Sequence, residues 1–127
     1  ALLMGAKELV AVDMDYLAVK SSAENFELNH LNQSSFKVMQ GSTDLLINKF
    51  PERNFDFLFC NILASVIEEL AKDFGSLLSL SGRAVISGIL NSQVSEMSSF
   101  LSSLGWTVKD SFSQEGWSLI EISRELP

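Results

Sequence analysis

Residues 55–64 read Phe55-Asp56-Phe57-Leu58-Phe59-Cys60-Asn61-Ile62-Leu63-Ala64, and this segment indicates the class of fold. Its apolar residues 57–60 are consecutive, which is typical of a strand buried on both faces of a parallel sheet. Apolar side chains then recur at helical spacing, at Leu63, Val66, Ile67, Leu70, Ala71 and Phe74. The segment therefore predicts a strand over residues 55–60 and a helix from Ile62 to about Leu78.

Asn61 lies at the junction of this strand and helix. Ligands bind at the carboxyl ends of the strands in open α/β sheets, and an asparagine amide both donates and accepts hydrogen bonds. Asn61 is therefore a candidate for chemistry. The alternative is that Asn61 caps the helix that starts at Ile62, because asparagine is a favoured N-cap residue.

The rest of the chain alternates between predicted strands and helices. We expect strands at residues 8–13, 36–40, 83–87, about 106–113 and 117–123, and helices at 16–30 and 92–104. Between them we expect a short helix or irregular segment at 45–50, turns at 51–54 and 114–116, and a loop at 80–82. This order predicts a doubly wound, mostly parallel α/β sheet. Trp106, Val108 and Phe112 alternate with polar residues, which predicts one apolar face, and the last two strands predict an antiparallel hairpin at the carboxyl terminus.

Composition limits the class of protein. The chain has 127 residues, the size of one domain, and 46% are hydrophobic, which supports a folded core. The net charge is −7 and the nine basic residues are scattered, which argues against direct nucleic-acid binding. No apolar run approaches the ~20 residues of a membrane span. The single cysteine, Cys60, lies in an apolar run and predicts packing rather than reactivity, in a cytoplasmic protein.

The first residues resemble the end of a helix. Ala1-Leu2-Leu3-Met4 precedes Gly5, which has the position of a C′ glycine. One helical turn is too short to be stable alone. We therefore expect the chain to be the downstream part of a longer one.

Asp13 ends the first predicted strand. In nucleotide-binding α/β folds an acidic side chain near a strand end accepts hydrogen bonds from ribose hydroxyls, and a carboxylate can hold two hydroxyls. Asp13 is alternatively a solvated loop acid or a helix cap. Asp15 is a reasonable N-cap for the helix predicted at residues 16–30, and it also competes for the ribose role. The turn at residues 41–44 is either a base-binding turn or an ordinary one.

Other catalytic sites are not supported by the sequence. Ser87-Gly88 lacks a glycine two residues before the serine, where Val85 stands, and His30 is the only histidine. No cluster has metal-ligand spacing, and neither a P-loop nor a G-x-G-x-x-G motif occurs.

Several segments together resemble a known family. Gly5-Ala6-Lys7, residues 10–15, Ala23-Glu24-Asn25 and Asn29 resemble the second-strand region of class I S-adenosylmethionine-dependent methyltransferases. Asn61-Ile62-Leu63-Ala64, Ser87-Gly88-Ile89-Leu90 and Gly116-Trp117 are more specific, and they resemble the PrmA family, which methylates large-subunit ribosomal protein eleven.

The resemblance implies roles for four residues. Asp13 and the adjacent Met14 would contact the cofactor S-adenosylmethionine, with Asp13 on its ribose, and Ser42 would flank its adenine. Asn61 would be the catalytic residue at the cofactor and target-amine end of the fourth strand. The implied activity is methyl transfer to lysine side chains and an amino terminus of the ribosomal protein, on a seven-stranded sheet whose last strand is antiparallel.

The chain also departs from this family. The first strand, the glycine-rich loop and the small domain that grips the ribosomal protein are missing, so residues 1–127 are expected to be a truncated methyltransferase domain, inactive alone. Class I strand order places the missing strand between residues 8–13 and 55–60. Arg83 replaces a usual glycine, at what we expect to be a surface turn. The alternatives are a class I methyltransferase with another substrate, and a non-catalytic α/β binding module.

Overall fold

The computed structural model describes residues 1–51 and 55–124, and the chain divides into two compact units, Ala1–Lys49 and Phe50–Pro127. Apart from Pro51, the turn predicted at residues 51–54 lies outside the described residues. Both units are built from strands and helices, and the predicted α/β class is confirmed.

The first unit contains a two-stranded parallel sheet. Strands β1 (Leu9–Asp13) and β2 (Phe36–Gln40) pair in register and are connected by helix α1 (Tyr16–Leu28). Helix α2 (Thr43–Lys49) follows β2 after only two residues, so the predicted turn at 41–44 is shorter than expected. The ring of Phe26, on α1, stacks on that of Phe36, on β2, with centroids 4.6 Å apart.

A 3₁₀ turn precedes this sheet. It spans Leu2–Met4 and ends at Gly5, whose φ of 99° is left-handed. The predicted C′ role of Gly5 is confirmed.

The second unit contains a four-stranded sheet in the order β3-β4-β6-β5. Its strands are β3 (Phe55–Asn61), β4 (Leu78–Leu90), β5 (Thr107–Gln114) and β6 (Trp117–Ser123). β3 and β4 are parallel, whereas β6 is antiparallel to both of its neighbours. The predicted hairpin is confirmed, and its turn residues Glu115 and Gly116 have φ of 51° and 87°, as in a two-residue type I′ turn.

The core of the second unit lies between its sheet and its helices, which are α3 (Ala64–Leu70), α4 (Phe74–Leu77) and α5 (Val94–Ser103). Its largest fully buried side chains are Phe74, Ile67, Leu77, Ile86, Ile89, Met97, Leu101, Ile120 and Ile122. Cys60 packs against this core. Burial raises the pKa of its thiol to about 11, which keeps the thiol protonated and agrees with the predicted packing role.

β3 is not buried on both faces, contrary to the prediction. Leu58 and Cys60 pack on the core, but Phe57 and Phe59 are 57% and 66% exposed, with their rings stacked at 6.4 Å. Alternate residues of a strand point to opposite faces, and the consecutive apolar run concealed this alternation. Within the described residues β3 pairs only with β4, so it is an edge strand of its sheet.

The single helix predicted over residues 62–78 is interrupted. It is divided into α3 and α4, and Leu78 already belongs to β4. Leu77, at the end of α4, and Leu78, at the start of β4, are both buried.

The predicted loop at residues 80–82 lies inside β4 as an irregularity. Leu78 pairs with Phe55 and Arg83 pairs with Phe57, so four residues of β4, 79–82, lie opposite the single residue Asp56 of β3. Arg83 therefore lies in a strand and not at a surface turn. Its guanidinium is 3.2 Å from Glu121 Oε1 and 6.0 Å from the Phe57 ring centroid.

The helix predicted over residues 92–104 begins with a 3₁₀ turn, Asn91–Gln93, before α5. Met97 and Leu101 are buried, whereas Leu104 is 37% exposed. Gly105, whose φ of 85° is left-handed, follows this helix.

A bulge in β5 changes the face on which Phe112 lies. Val108 pairs with Ile122, but Asp110 pairs with the next residue, Glu121, so Lys109 is extra. One extra residue reverses the alternation beyond it. The predicted common face of Trp106, Val108 and Phe112 is therefore wrong, and Phe112 lies opposite Leu119.

Candidate active site

In the first unit, three predicted cofactor residues lie at one end of the sheet. Parallel pairing places Asp13, at the end of β1, opposite Gln40, at the end of β2. The Gly41 N–H donates to the Asp13 carbonyl oxygen at 3.0 Å, and Gln40 Nε2 donates to the Met14 carbonyl at 3.1 Å. These bonds hold the Asp13-Met14 loop beside the segment that carries Ser42.

Asp13 and Asp15 differ in what their carboxylates do. Asp15 Oδ1 accepts from the Leu17 N–H at 2.8 Å and caps α1, as predicted. Asp13 Oδ1 accepts from the Asp15 N–H at 2.8 Å, while its Oδ2 has no hydrogen bond within the described part of the chain. The exposed Asp13 therefore retains an oxygen for a ligand, whereas Asp15 serves the helix.

In the second unit, Asn61 is the last residue of β3 and lies opposite Ser87 of β4. α3 begins only at Ala64, after Leu63 in an extended conformation as N-cap. The alternative that Asn61 caps this helix is therefore wrong. The Asn61 residue is exposed, and its side chain makes no hydrogen bond to any residue that the structure describes.

Gly88 allows the backbone of β4 to lie directly against Asn61. A Cβ atom at Gly88 would be 2.8 Å from Asn61 Oδ1 and 2.7 Å from the Ile62 carbonyl oxygen. Gly88 also has a φ of 82° and lies where the register between β4 and β6 shifts. Ser87-Gly88 is not a nucleophile site, and the glycine is explained by packing, because a side chain at residue 88 would collide with Asn61 and Ile62.

A cleft of about 800 Å³ opens beside Asn61 within the second unit. It is lined by Asn61, Ile62, Leu63, Ser87, Gly88, Phe112, Ser113, Gln114, Trp117, Ser118 and Leu119. None of these residues is charged. Phe112 and Trp117 are 57% and 55% exposed, so aromatic surface is available to a ligand. Apolar walls with a few polar groups are typical of sites for small molecules or single side chains.

Sequence reasoning did not identify the hairpin wall of this cleft. Gly116-Trp117 contributed to the family resemblance, and that was the only signal for Trp117. Phe112 was assigned to the wrong face because the bulge at Lys109 is not visible in the apolar pattern. Ser113 and Ser118 are common residue types with no motif around them.

Two kinds of feature are absent from the described residues. They include no group of three or more histidine, cysteine or acidic residues arranged to hold a metal ion. They also include no helix with both the length and the apolar character needed to cross a membrane.

Comparison with known proteins gives the family. The family model described as ribosomal protein L11 methyltransferase (PrmA) matches residues 1–125. The chain belongs to this family. A ribosomal protein L11 methyltransferase of Prochlorococcus marinus is 42% identical over 127 residues, which are 100% of this chain and 42% of the relative. The chain thus spans about two fifths of the length of that relative.

Solved structures show the same fold. The ribosomal protein L11 methylase of Lactobacillus delbrueckii subsp. bulgaricus superposes with a TM-score of 0.87 at 25% identity, over 99% of this PrmA-family chain and 62% of the other. Aeropyrum pernix fibrillarin, solved with natively bound S-adenosyl-L-methionine, has a TM-score of 0.71 at 10% identity, over 91% and 55%. The fold is that of the class I methyltransferases.

Proposed function

We propose that this chain is part of an S-adenosylmethionine-dependent methyltransferase that transfers methyl groups to amines of ribosomal protein L11 in the cytoplasm. The observation that carries the proposal is the unbonded amide of Asn61 at the end of β3, facing an uncharged aromatic cleft in a PrmA-family chain. The amines are lysine side chains and an amino terminus. The partner is a protein and not a nucleic acid.

Asp13, Met14 and Ser42 are the proposed cofactor residues. The free carboxylate oxygen of Asp13 suits a ribose hydroxyl, and its exposed position at the end of β1 leaves room for one. The side chain of Met14 is also exposed and offers an apolar contact. Ser42 lies next to the same loop and would contact the adenine.

Asn61 is proposed to orient the amine. S-adenosylmethionine, when bound, supplies an electrophilic methyl group. Asp13, Met14 and Ser42 would hold the cofactor; on methyl transfer to the amine nitrogen, the electron pair of the carbon–sulfur bond would stay on sulfur and the amine proton would pass to water. Asn61 Oδ1 accepts an N–H of the neutral amine and thereby directs its lone pair toward the methyl group. An uncharged, apolar cleft favours the neutral amine by desolvating the ammonium form.

The chain is proposed to be the carboxyl-terminal part of the catalytic domain of a longer enzyme. It aligns with only 42% of the Prochlorococcus relative. Within the described residues the two sheets are separate, with β1 and β3 each pairing on one side only. Each sheet thus has an edge with which a further strand of a longer enzyme would pair.

A methyl-transfer assay tests the function. The complete protein that contains this chain is incubated with methyl-labelled S-adenosylmethionine and either ribosomal protein L11 or another ribosomal protein of similar charge. We expect label in L11 alone. Cofactor binding without label in L11 would indicate a class I methyltransferase with another substrate, and absence of cofactor binding would indicate a non-catalytic binding module.

A further inference from the structure

The wall of the cleft opposite Asn61 is held by a set of hydrogen bonds centred on Asn91. The Asn91 backbone N–H donates to the Gly116 carbonyl at 3.0 Å. Its side-chain amide faces Ser118 Oγ at 2.7 Å and the carbonyls of Trp117 and Gly116 at 3.1 and 3.2 Å. Because carbonyl oxygens only accept, the nitrogen of the amide lies on this side. Asn91 therefore donates to the tip of the β5–β6 hairpin.

This donation fixes the direction of a short chain of hydroxyl groups. Ser118 is buried, with 4% of its surface exposed, and its Oγ lies 2.8 Å from Ser113 Oγ. Ser118 Oγ accepts from Asn91, and its only other hydrogen-bond partner within the described residues is Ser113, so its own proton goes to Ser113. Ser113 then accepts from Ser118 and has its hydroxyl proton left to donate. Ser113 lines the cleft, so this donor is available to a ligand there.

The target amine is not the partner that suits this donor. A hydrogen bond donated to the amine nitrogen would occupy the lone pair that must attack the methyl group. A protein substrate instead presents a main-chain carbonyl at every residue, and no charged residue competes for the donor among those lining the cleft.

We propose that Asn91, acting through Ser118, positions the Ser113 hydroxyl as a hydrogen-bond donor to a main-chain carbonyl of the substrate segment that carries the amine. Asn91 and Ser118 are positioning residues, and Ser113 is a substrate-binding residue. The inference rests on the proposed function, and it adds a specificity contact on the hairpin to the amine contact at Asn61.

The direction of the hydroxyl chain gives a specific test. In Asn91→Asp the introduced carboxylate only accepts, so Ser118 donates to it and Ser113 donates to Ser118. The Ser113 proton is then turned away from the cleft without being removed. Ser113→Ala removes it, Ser113→Thr keeps it, and Ser111→Ala is the matched control, because Ser111 lies on the same strand opposite the buried Ile120.

The complete protein is titrated with ribosomal protein L11, and KM and kcat for methyl transfer are measured with each variant. We expect Ser113→Ala and Asn91→Asp each to raise Kd and KM about three- to tenfold with kcat little changed, because each variant loses one hydrogen bond to the substrate. Ser111→Ala should behave as the unmodified protein, and Ser113→Thr, which keeps the donor, should recover most of the affinity that Ser113→Ala loses. The double variant Asn91→Asp/Ser113→Ala should be no worse than Ser113→Ala, because both changes remove the same donor.

The outcomes separate the inference from the proposed function. If the unmodified protein binds and methylates L11 but Ser113→Ala leaves Kd and KM unchanged, the inference is wrong and the function stands. Additive effects in the double variant would show that Asn91 acts only by supporting the hairpin. If the unmodified protein neither binds nor methylates L11, both fail.

Discussion

The carboxylate of Asp13 has one oxygen engaged and one available. Oδ1 accepts from the Asp15 N–H and shapes the loop after β1, and Oδ2 is left for a ligand. This division of roles makes a conservative substitution informative. An asparagine retains an oxygen for the Asp15 N–H but loses the charge and the second acceptor.

We predict that Asp13→Asn in the complete protein weakens S-adenosylmethionine binding about tenfold or more while the melting temperature changes little. A hydrogen bond to a charged group contributes about 1.5–3 kcal/mol. Asp15→Ala is the control with the opposite pattern, since loss of the cap of α1 lowers stability by about 0.5–2 kcal/mol but leaves affinity unchanged. Calorimetry that gives equal affinity for Asp13→Asn and the unmodified protein would exclude the ribose role.

The second prediction for a single residue concerns Asn61. Asn61→Ala should lower kcat about tenfold, which corresponds to about 1.4 kcal/mol in the barrier, and should change KM for L11 less. Because Asn61 does not cap α3, the melting temperature should stay within the error of the measurement. A lower melting temperature with unchanged kcat would contradict this role.

Among single residues, the sequence predicted Gly5, Asp15 and Cys60 correctly because their roles depend on neighbours in the chain or on local hydrophobicity. The location of Asn61 at a strand end was also predictable, but whether it caps a helix was not. That depends on where α3 starts, and the extended conformation of Leu63 delays the start to Ala64.

Among the elements, β4 packs directly against the proposed catalytic residue Asn61 at Gly88. The glycine has a left-handed φ, and the backbone of Ile62 occupies the space where a Cβ would lie. Gly105 at the end of α5 has nearly the same φ, 85° against 82°, but no atom within 4 Å of its Cβ position. Comparing alanine variants of the two glycines therefore distinguishes the free-energy cost of a left-handed φ from the cost of a close contact at Cβ.

We predict that Gly105→Ala lowers the free energy of unfolding by about 1–2 kcal/mol, the cost of a left-handed conformation. Gly88→Ala should cost at least about 1 kcal/mol more, because a 2.7 Å contact with backbone cannot relax without moving β3 or β4. It should also lower kcat, whereas Gly105→Ala should not. Urea unfolding of the two variants measures the difference, and equal losses would show that the close approach is unimportant.

The elements also show where sequence patterns stop being informative. Six strands, their order along the chain and the final hairpin follow from periodicity and turn residues. The bulges in β4 and β5 do not, because an extra residue changes the faces of all later residues while leaving each short segment strand-like. The cleft is formed by such residues, so its hairpin wall could not be predicted.

At the scale of the whole molecule, the described residues form two sheets that lack a common neighbour strand. Phe26 is the only large apolar side chain of residues 1–49 that is buried in this described part of the chain. In the second unit, Phe57 and Phe59 expose apolar surface on edge strand β3. Exposed apolar edges favour aggregation or pairing with another chain, so we expect these 127 residues to be poorly stable without the rest of a longer enzyme.

The central claim is that this chain is one part of a methyltransferase domain whose cofactor site needs a further strand and loop. Calorimetric titration with S-adenosylmethionine tests it most directly, with residues 1–127 alone and the complete protein measured side by side. We predict micromolar affinity for the complete protein and no measurable binding by residues 1–127. A soluble, cooperatively melting monomer of residues 1–127 that binds the cofactor with micromolar affinity would contradict the claim.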